Sequence, residues 1–231
     1  MASFTLLQLR TLVRQRADIE ASQHIKDAEL NDYINGSISE LYDILIQKFG
    51  DEYFLSSTTF NLVNGTDLYD LPADFYKLIG VDLQLTPTTD YVTVKRFDFQ
   101  ERNRYSASVL RGIYGAPQLR YHVQGSKLRF QPTPTDTNGI KLWYVPTPIS
   151  LSADGDTFSG FNGWEEYVIV DAAIKCMIKE ETETAPSERR KAQLIERIES
   201  AAGKRDANFA PRITDTQRIE FEDGIILGDL Y

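Results

Sequence analysis

The chain has 231 residues, 42% hydrophobic, 11% aromatic and 26% charged, which is enough apolar material for a sizeable core and excludes wholesale disorder. Its 34 Asp and Glu against 25 Lys and Arg leave a net charge of −9, a poor balance for gripping a nucleic-acid backbone with the whole surface. One Cys excludes an internal disulfide framework and a thiolate zinc cluster, and two His, at 24 and 122, leave little imidazole for metal or general-base chemistry. No apolar run approaches the roughly 20 residues of a bilayer span. The opening Met1-Ala-Ser-Phe-Thr-Leu-Leu-Gln-Leu-Arg has no basic region ahead of an apolar core, so no signal peptide is expected.

The first fifty residues predict two helices. Leu6, Leu9, Val13 and Ala17 recur at helical spacing, with Ser3 or Thr5 available as an amino-terminal cap. Arg10, Arg14 and Arg16 lie mostly off that stripe, either as a solvated face or as a contact with an acidic partner. In the second helix Leu30, Ile34, Ile38, Leu41, Leu45 and Phe49 mark one face, widened by Tyr33, Tyr42, Ile44 and Ile46. Asp27 and Glu29 suit its first turn and Gly50 its end. So wide a face predicts burial against more than one neighbour.

From residue 53 to about 150 the period changes to two. Phe60-x-Leu62 precedes Asn64-Gly65, a hairpin or turn dipeptide. Tyr91-Val-Thr-Val-Lys-Arg-Phe, Leu119-Arg-Tyr-His-Val and Leu128-Arg-Phe alternate as half-buried strands do, and Gly125-Ser126 predicts a hairpin between the last two. Ile140-Lys-Leu-Trp-Tyr-Val closes the series ahead of Pro146, while Phe97 to Tyr105 reads as a short helix or an irregular excursion. The expectation is a small antiparallel sheet or sandwich of short strands.

After a Ser/Asp/Gly-rich loop (150–163) the helical period returns. Trp164, Val168, Asp171, Ala172, Lys175 and Lys179 fall near one face, with Tyr167, Val170, Ile174, Met177 and Ile178 on the apolar side. Pro186 suits the first turn of a final, outwardly charged helix running through Leu194 and Ile198 to about residue 205. The fold class is α+β: a helical bundle from both chain ends, an inserted antiparallel β domain and an extended carboxy-terminal arm. The divisions are 1–52, amino-terminal helices; 53–150, β domain; 151–206, carboxy-terminal helices; and 207–231, the arm.

Chemistry is sought and mostly not found. Cys176 sits in the apolar stretch Ala172-Ala-Ile-Lys-Cys-Met-Ile, where a small buried thiol is the ordinary reading. Asp154-Gly-Asp156 begins like a calcium loop, but Phe158 stands where the third ligand belongs, so turn chemistry explains it. No catalytic, cofactor or metal residues are assigned. One asymmetry remains: residues 95–129 carry Lys95, Arg96, Arg102, Arg104, Arg111, Arg120, Lys127 and Arg129 against Asp98 and Glu101. That local balance of +6 leaves −15 for the rest of a chain whose total is −9. With Tyr105, Tyr114 and Tyr121 interleaved, the stretch could meet the acidic surface of a second copy, lie solvated, or bind nucleic acid.

Several stretches are similar to the head-to-tail adaptor (connector) proteins of tailed bacteriophages, particularly short-tailed ones. They are Leu6-Leu-Gln-Leu-Arg-Thr-Leu-Val-Arg-Gln-Arg-Ala-Asp18, Asp27-Ala-Glu-Leu-Asn-Asp-Tyr-Ile-Asn35, Leu71-Pro-Ala-Asp-Phe-Tyr-Lys-Leu78, Leu142-Trp-Tyr-Val-Pro146 and Phe161-Asn-Gly-Trp-Glu-Glu-Tyr-Val168. The resemblance covers most of residues 5–206. It implies a structural virion protein and not an enzyme, made in the host cytoplasm and placed at the head–tail junction without cofactor or membrane. It further implies a dodecameric ring under the portal that extends the DNA channel to the tail, helping to retain packaged double-stranded DNA and pass it on ejection. Partners would be further copies, the portal protein, a tail or nozzle protein, and DNA in the lumen; a nucleic-acid-binding module using 95–129 is the alternative. Arg96, Arg102, Arg104, Arg111, Trp164 and Glu165 are candidates for contact between subunits, although for Trp164 the first reading is the core. Phe209, Ile225, Ile226, Leu227, Leu230 and Tyr231 are candidates for docking the arm on the portal, because such an apolar tip is an odd ending for a free solvated tail.

Overall fold

A computed structural model describes residues 3–21, 24–85, 90–102, 119–135, 137–159 and 163–202. Within them the chain is mixed α+β, with four α-helices and ten strands. Strand β1 (Ser3–Thr5) leads into α1 (Leu6–Arg16), and Thr5 caps that helix: its hydroxyl accepts from the Gln8 amide while the Gln8 side chain accepts from the Thr5 amide. The predicted stripe Leu6, Leu9, Val13 and Ala17 is buried. The arginines off the stripe are paired within the chain, and Arg16 keeps 42% of its side chain exposed. Arg10 is 8% exposed, lies 3.0 Å from Asp27 and hydrogen-bonds Asp154; Arg14 takes Asp27 at 2.9 Å; Arg16 takes Glu166 at 2.6 Å. Their acidic partners lie on the same chain.

Helix α2 (Asp27–Phe49) ends at Gly50, whose φ of +88° only glycine adopts without strain. Its wide face serves several neighbours. Leu30, Ile34, Ile38, Leu41 and Leu45 join α1, α3 (Glu165–Lys179) and α4 (Ala185–Ala202) in one apolar cluster, while Tyr42 and Ile46 meet Val145 of the β region. Expectation and outcome part at α3: Val168, Ala172 and Asp171, expected on a more polar face, are as buried as Tyr167, Val170 and Ile174, so the helix is covered nearly all round. The loop before it is also more ordered than expected, because Thr157–Ser159 (β10) pairs antiparallel with β1.

A carboxylate is buried at the centre of this helical layer. The Asp171 side chain is 3% exposed and held by Lys191 at 2.5 Å and Lys175 at 2.8 Å, while both lysines also reach Glu40 of α2, at 3.3 and 2.8 Å. Burial alone would raise the Asp171 pKa; hydrogen bonds from Lys175, then Lys191 and Ser37, outweigh it and hold the carboxyl below its ordinary 3.8.

Between α2 and α3 the chain builds two four-stranded sheets. A short 3₁₀ turn (Asp51–Phe54) leads to β2 (Ser56–Asn61), which with β9 (Gly139–Pro146), β4 (Phe75–Gln84) and β5 (Tyr91–Thr93) forms an antiparallel sheet in the order β2-β9-β4-β5. The second sheet has the order β3 (Leu68–Asp70), β8 (Lys127–Gln131), β7 (Arg120–Gln124), β6 (Lys95–Arg96). Val81, Leu83, Ile140, Leu142 and Tyr144 from the first share a core with Leu128 and Phe130 from the second. Gly125-Ser126 makes the expected β7–β8 hairpin. Asn64-Gly65 makes the expected turn, with Gly65 at φ +80°, but not a hairpin: it carries the chain from β2 in one sheet to β3 in the other. The 91–97 segment is likewise not one strand, because buried Val94 separates β5 and β6, which belong to different sheets. Moreover β6 pairs parallel with β7, and residues 97–119 supply the long connection that a parallel pair needs.

The sheets are tied to the helices through aromatic side chains. Tyr42 stacks on Phe54 at 4.1 Å and donates its hydroxyl to the Pro146 carbonyl at 2.5 Å; Tyr76 donates to Asp43 and Lys77 pairs with Asp51 at 2.6 Å. The Asp74 carboxylate accepts from the Tyr144 hydroxyl at 3.1 Å and its carbonyl from the Thr147 amide, so the Leu71-Pro72 corner fixes the passage from β3 into β4.

A carboxyl whose folded pKa lies below its unfolded one contributes stability above the unfolded value and loses it as pH falls through the folded value. Asp171→Asn is expected to cost about 2 kcal/mol at pH 7, and the gap to the unaltered protein should close on acidification below about pH 4. Urea unfolding at both pH values measures this; a loss of equal size in acid would show that the ion pairs are not its cause.

Candidate interaction surfaces

The basic stretch is not one patch. On β8, Lys127 pairs with Asp70 at 2.8 Å and Arg129 with Asp67 at 3.6 Å, so that side is already matched with acidic residues at β3. Lys95 and Arg96 are exposed on β6, at the opposite edge of the same sheet. Next along the chain is a short 3₁₀ turn (Phe99–Glu101), capped by Asp98, whose carboxylate accepts from the Gln100 amide. Arg102 closes it, its guanidinium 4.9 Å from the Phe99 ring centre and donating to the Phe99 carbonyl. His122 packs beside both Phe97 and Phe99, ring centres 5.4 Å apart, with Nδ1 3.3 Å from the Phe97 carbonyl oxygen. Arg120 is half-buried on β7, whereas Arg104 and Arg111 lie outside the described residues.

Trp164 stands at the amino-terminal boundary of α3 and is 5% exposed, with the Arg197 guanidinium 4.9 Å above its ring. Its own chain therefore covers most of the indole. Glu165 and Glu166 open the helix where the dipole favours carboxylates. Glu165 is half-buried, and Glu166 is taken by Arg16 and, at 3.8 Å, by Arg190. Phe209, Ile225, Ile226, Leu227, Leu230 and Tyr231 lie outside the described residues.

One surface escaped the sequence reading. On the outer face of the first sheet, the Lys141 ammonium sits 3.9 Å over the Trp143 ring and 5.8 Å from Tyr91, while the Trp143 indole N–H donates to Asp82 at 2.7 Å. The adjoining edge exposes Leu85, Tyr91 and Val92. Its signal was present, since Lys141 and Trp143 alternate with the inward Ile140, Leu142 and Tyr144; what single-sequence reading lacks is the cross-strand register that adds Asp82 and Tyr91.

Among the described residues no group of three or more His, Cys, Asp or Glu could hold a metal ion, and no helix is long and apolar enough to cross a membrane. Burial pushes the Cys176 thiol up to about 11. Asp156 accepts from the amides of Ser152 and Ala153 at 2.7 and 2.8 Å, which is turn chemistry.

The family decides between these readings. A family model for the SU10 adaptor protein matches residues 4–216. The chain belongs to the SU10 adaptor protein family. It is thus a bacteriophage head-to-tail adaptor, a structural component of the virion that works through contacts with other head and tail proteins. A comparison with curated proteins gave no match. In an adaptor, exposed edges and charged rims are the surfaces to weigh.

If Trp164 serves the core of the isolated adaptor, Trp164→Ala should cost about 3 kcal/mol or more in the unassembled protein. Chemical denaturation of the monomer checks it. An unchanged midpoint would move the role of this residue to a contact between subunits.

Proposed function

We propose that the adaptor assembles as a dodecameric ring that docks beneath the portal, receives a tail or nozzle protein below, and continues the DNA channel between them, helping to retain the packaged genome and pass it on ejection, as in short-tailed phages. The observation that carries this reading is the family match over residues 4–216, nearly the whole chain. In this reading the helices of 1–52 and 151–206 form one bundle, 53–150 is the β domain projecting from it, and 207–231 is the docking arm, its apolar tip adding to a groove or sheet edge of the portal. Neighbouring copies meet head to tail, the Arg96, Arg102, Arg104 and Arg111 side of one against acidic surface of the next, with Glu165 a further candidate. Lys95, Arg96 and Arg102, exposed at the β6 edge of a chain whose net charge is −9, support such a heterologous contact. Acidic or neutral groups then line the lumen, so that DNA passes without sticking. The internal pairing of Lys127 and Arg129 weighs against the alternative, because it removes two cations from any phosphate-gripping surface.

Two experiments test the proposal. Reversing Arg102 and Arg104 to Glu should impair ring formation at least about tenfold while leaving unfolding nearly unchanged; sedimentation and thermal melts measure the two. Normal assembly onto portal would refute the electrostatic contact. Deleting 225–231 should abolish portal binding without altering the melt of the isolated adaptor, and binding of undiminished tightness would refute the docking arm.

A further inference from the structure

The two sheets of the β region leave the sandwich with two open sides. Strands β2 and β3, joined through the Asn64-Gly65 turn, are the end strands on one side; β5 and β6, joined through buried Val94, are the end strands on the other. Among the described residues no further strand pairs with any of the four. Such edges are templates for pairing with another chain.

The two sides fit each other. Directions alternate along the first sheet, β2 against β9, β9 against β4 and β4 against β5, so β5 laid beside β2 of a second copy continues the antiparallel ladder. Side chains match as well. Val92 stands across from buried Leu83, which puts it on the core side of β5, yet at the open edge it is 50% exposed. On the core side of β2 stand Thr58 and Phe60, across from Leu142 and Ile140. They line a hollow of about 380 Å³ where β2 and β3 face each other, mainly apolar, with Val63, Tyr69 and Leu71 in its wall. A strand added to β2 carries its core-side residue over that hollow. Charge agrees with shape. Lys95 and Arg96 are exposed on β6, whereas the Asp70 side chain on β3, although paired with Lys127 at 2.8 Å, stays 80% exposed and has acceptor sites for a second cation.

We propose that the adaptor binds a second copy of itself by adding β5 of one to β2 of the next, Val92 opposite Thr58 and seated over the Phe60–Tyr69 hollow, with Arg96 reaching Asp70. Main-chain hydrogen bonds supply the affinity, and the apolar seat and the ion pair fix the register. The contact is heterologous: each copy gives one side and receives on the other, so repetition closes a ring or runs on as a fibre. It deepens the head-to-tail reading above, on which it rests, by naming the surface that receives the Arg96 edge.

Oxidative cross-linking of the full-length chain in concentrated solution, without portal, tests this contact. Val92→Cys together with Thr58→Cys should yield a ladder of disulfide-linked multimers. Either substitution alone, or Val92→Cys with Thr59→Cys on the opposite face, should give at least about tenfold less, because the thiols cannot meet. An equal mixture of the two single variants should stop at dimers. Arg96→Asp in the paired-cysteine chain should lower the yield at least about tenfold, and Asp70→Lys added to it should restore the ladder. No ladder, dimers from Val92→Cys alone, or no rescue by Asp70→Lys would overturn the proposal. Rings on portal that form without a 92–58 cross-link would overturn it and leave the ring standing. Ladders from a chain that makes no ring on portal would uphold the contact and refute the ring.

Discussion

The rest of the fold follows from the burial of α3. A helix of fifteen residues, Glu165–Lys179, with Tyr167, Val168, Ile169, Val170, Ala172, Ala173, Ile174 and Cys176 all buried, must be covered nearly all round. No single neighbour can do this. Cover comes from α1 and α2 at one end of the chain and α4 at the other, and the short β1–β10 pair fastens the amino terminus beside the loop that leads into α3. Asp171 adds direction to an otherwise non-directional contact. A buried carboxylate needs its cations, and Lys191 from α4 and Lys175 from α3 itself both reach across to Glu40 of α2, so the ion cluster fixes how three helices stand along one another.

That constraint turns the β region into an excursion whose two ends must return to the helical layer. It leaves at Gly50 and comes back at Pro146, and both points are held at one junction by Tyr42, Phe54, Tyr76 and the Lys77–Asp51 pair. Val145 shows the accommodation in miniature. Along β9 the residues Ile140, Leu142 and Tyr144 face the space between the sheets, while Val145, on the outer face with Lys141 and Trp143, is buried against Tyr42 and Ile46, beside the register shifts where β4 pairs with β9. A joint built of stacked rings and short hydrogen bonds suits a protein that must hold a fixed shape between larger assemblies.

Local periodicity made much of this legible in advance. The stripes of α1 and α2, the Gly50 stop, the 125–126 hairpin, Pro186 in the first turn of α4 and the buried thiol all follow from spacing and from what one residue type can do. What could not be read was set by partners far away in sequence. Arg10 looks like a surface cation until Asp154 and Asp27 converge on it. Asn64-Gly65 has the chemistry of a hairpin, yet the flanking strands belong to different sheets. Val168 and Ala172 looked less buried than Tyr167 because an all-round apolar helix has no clean moment to read. At the surface the limit is sharper: a net charge for 95–129 is a sum over sequence, whereas Lys127 and Arg129 are matched in space and Lys95, Arg96 and Arg102 sit at another edge.

The most direct test of the adaptor's role is a single-particle electron-microscopy reconstruction of portal bound to the full-length chain. The account predicts a closed ring of copies beneath the portal, coaxial with its channel, with the β6 edge of each copy against its neighbour and carboxy-terminal density extending onto the portal wall. Isolated copies scattered on the portal surface, or a ring whose Arg96 and Arg102 face open solvent, would contradict it.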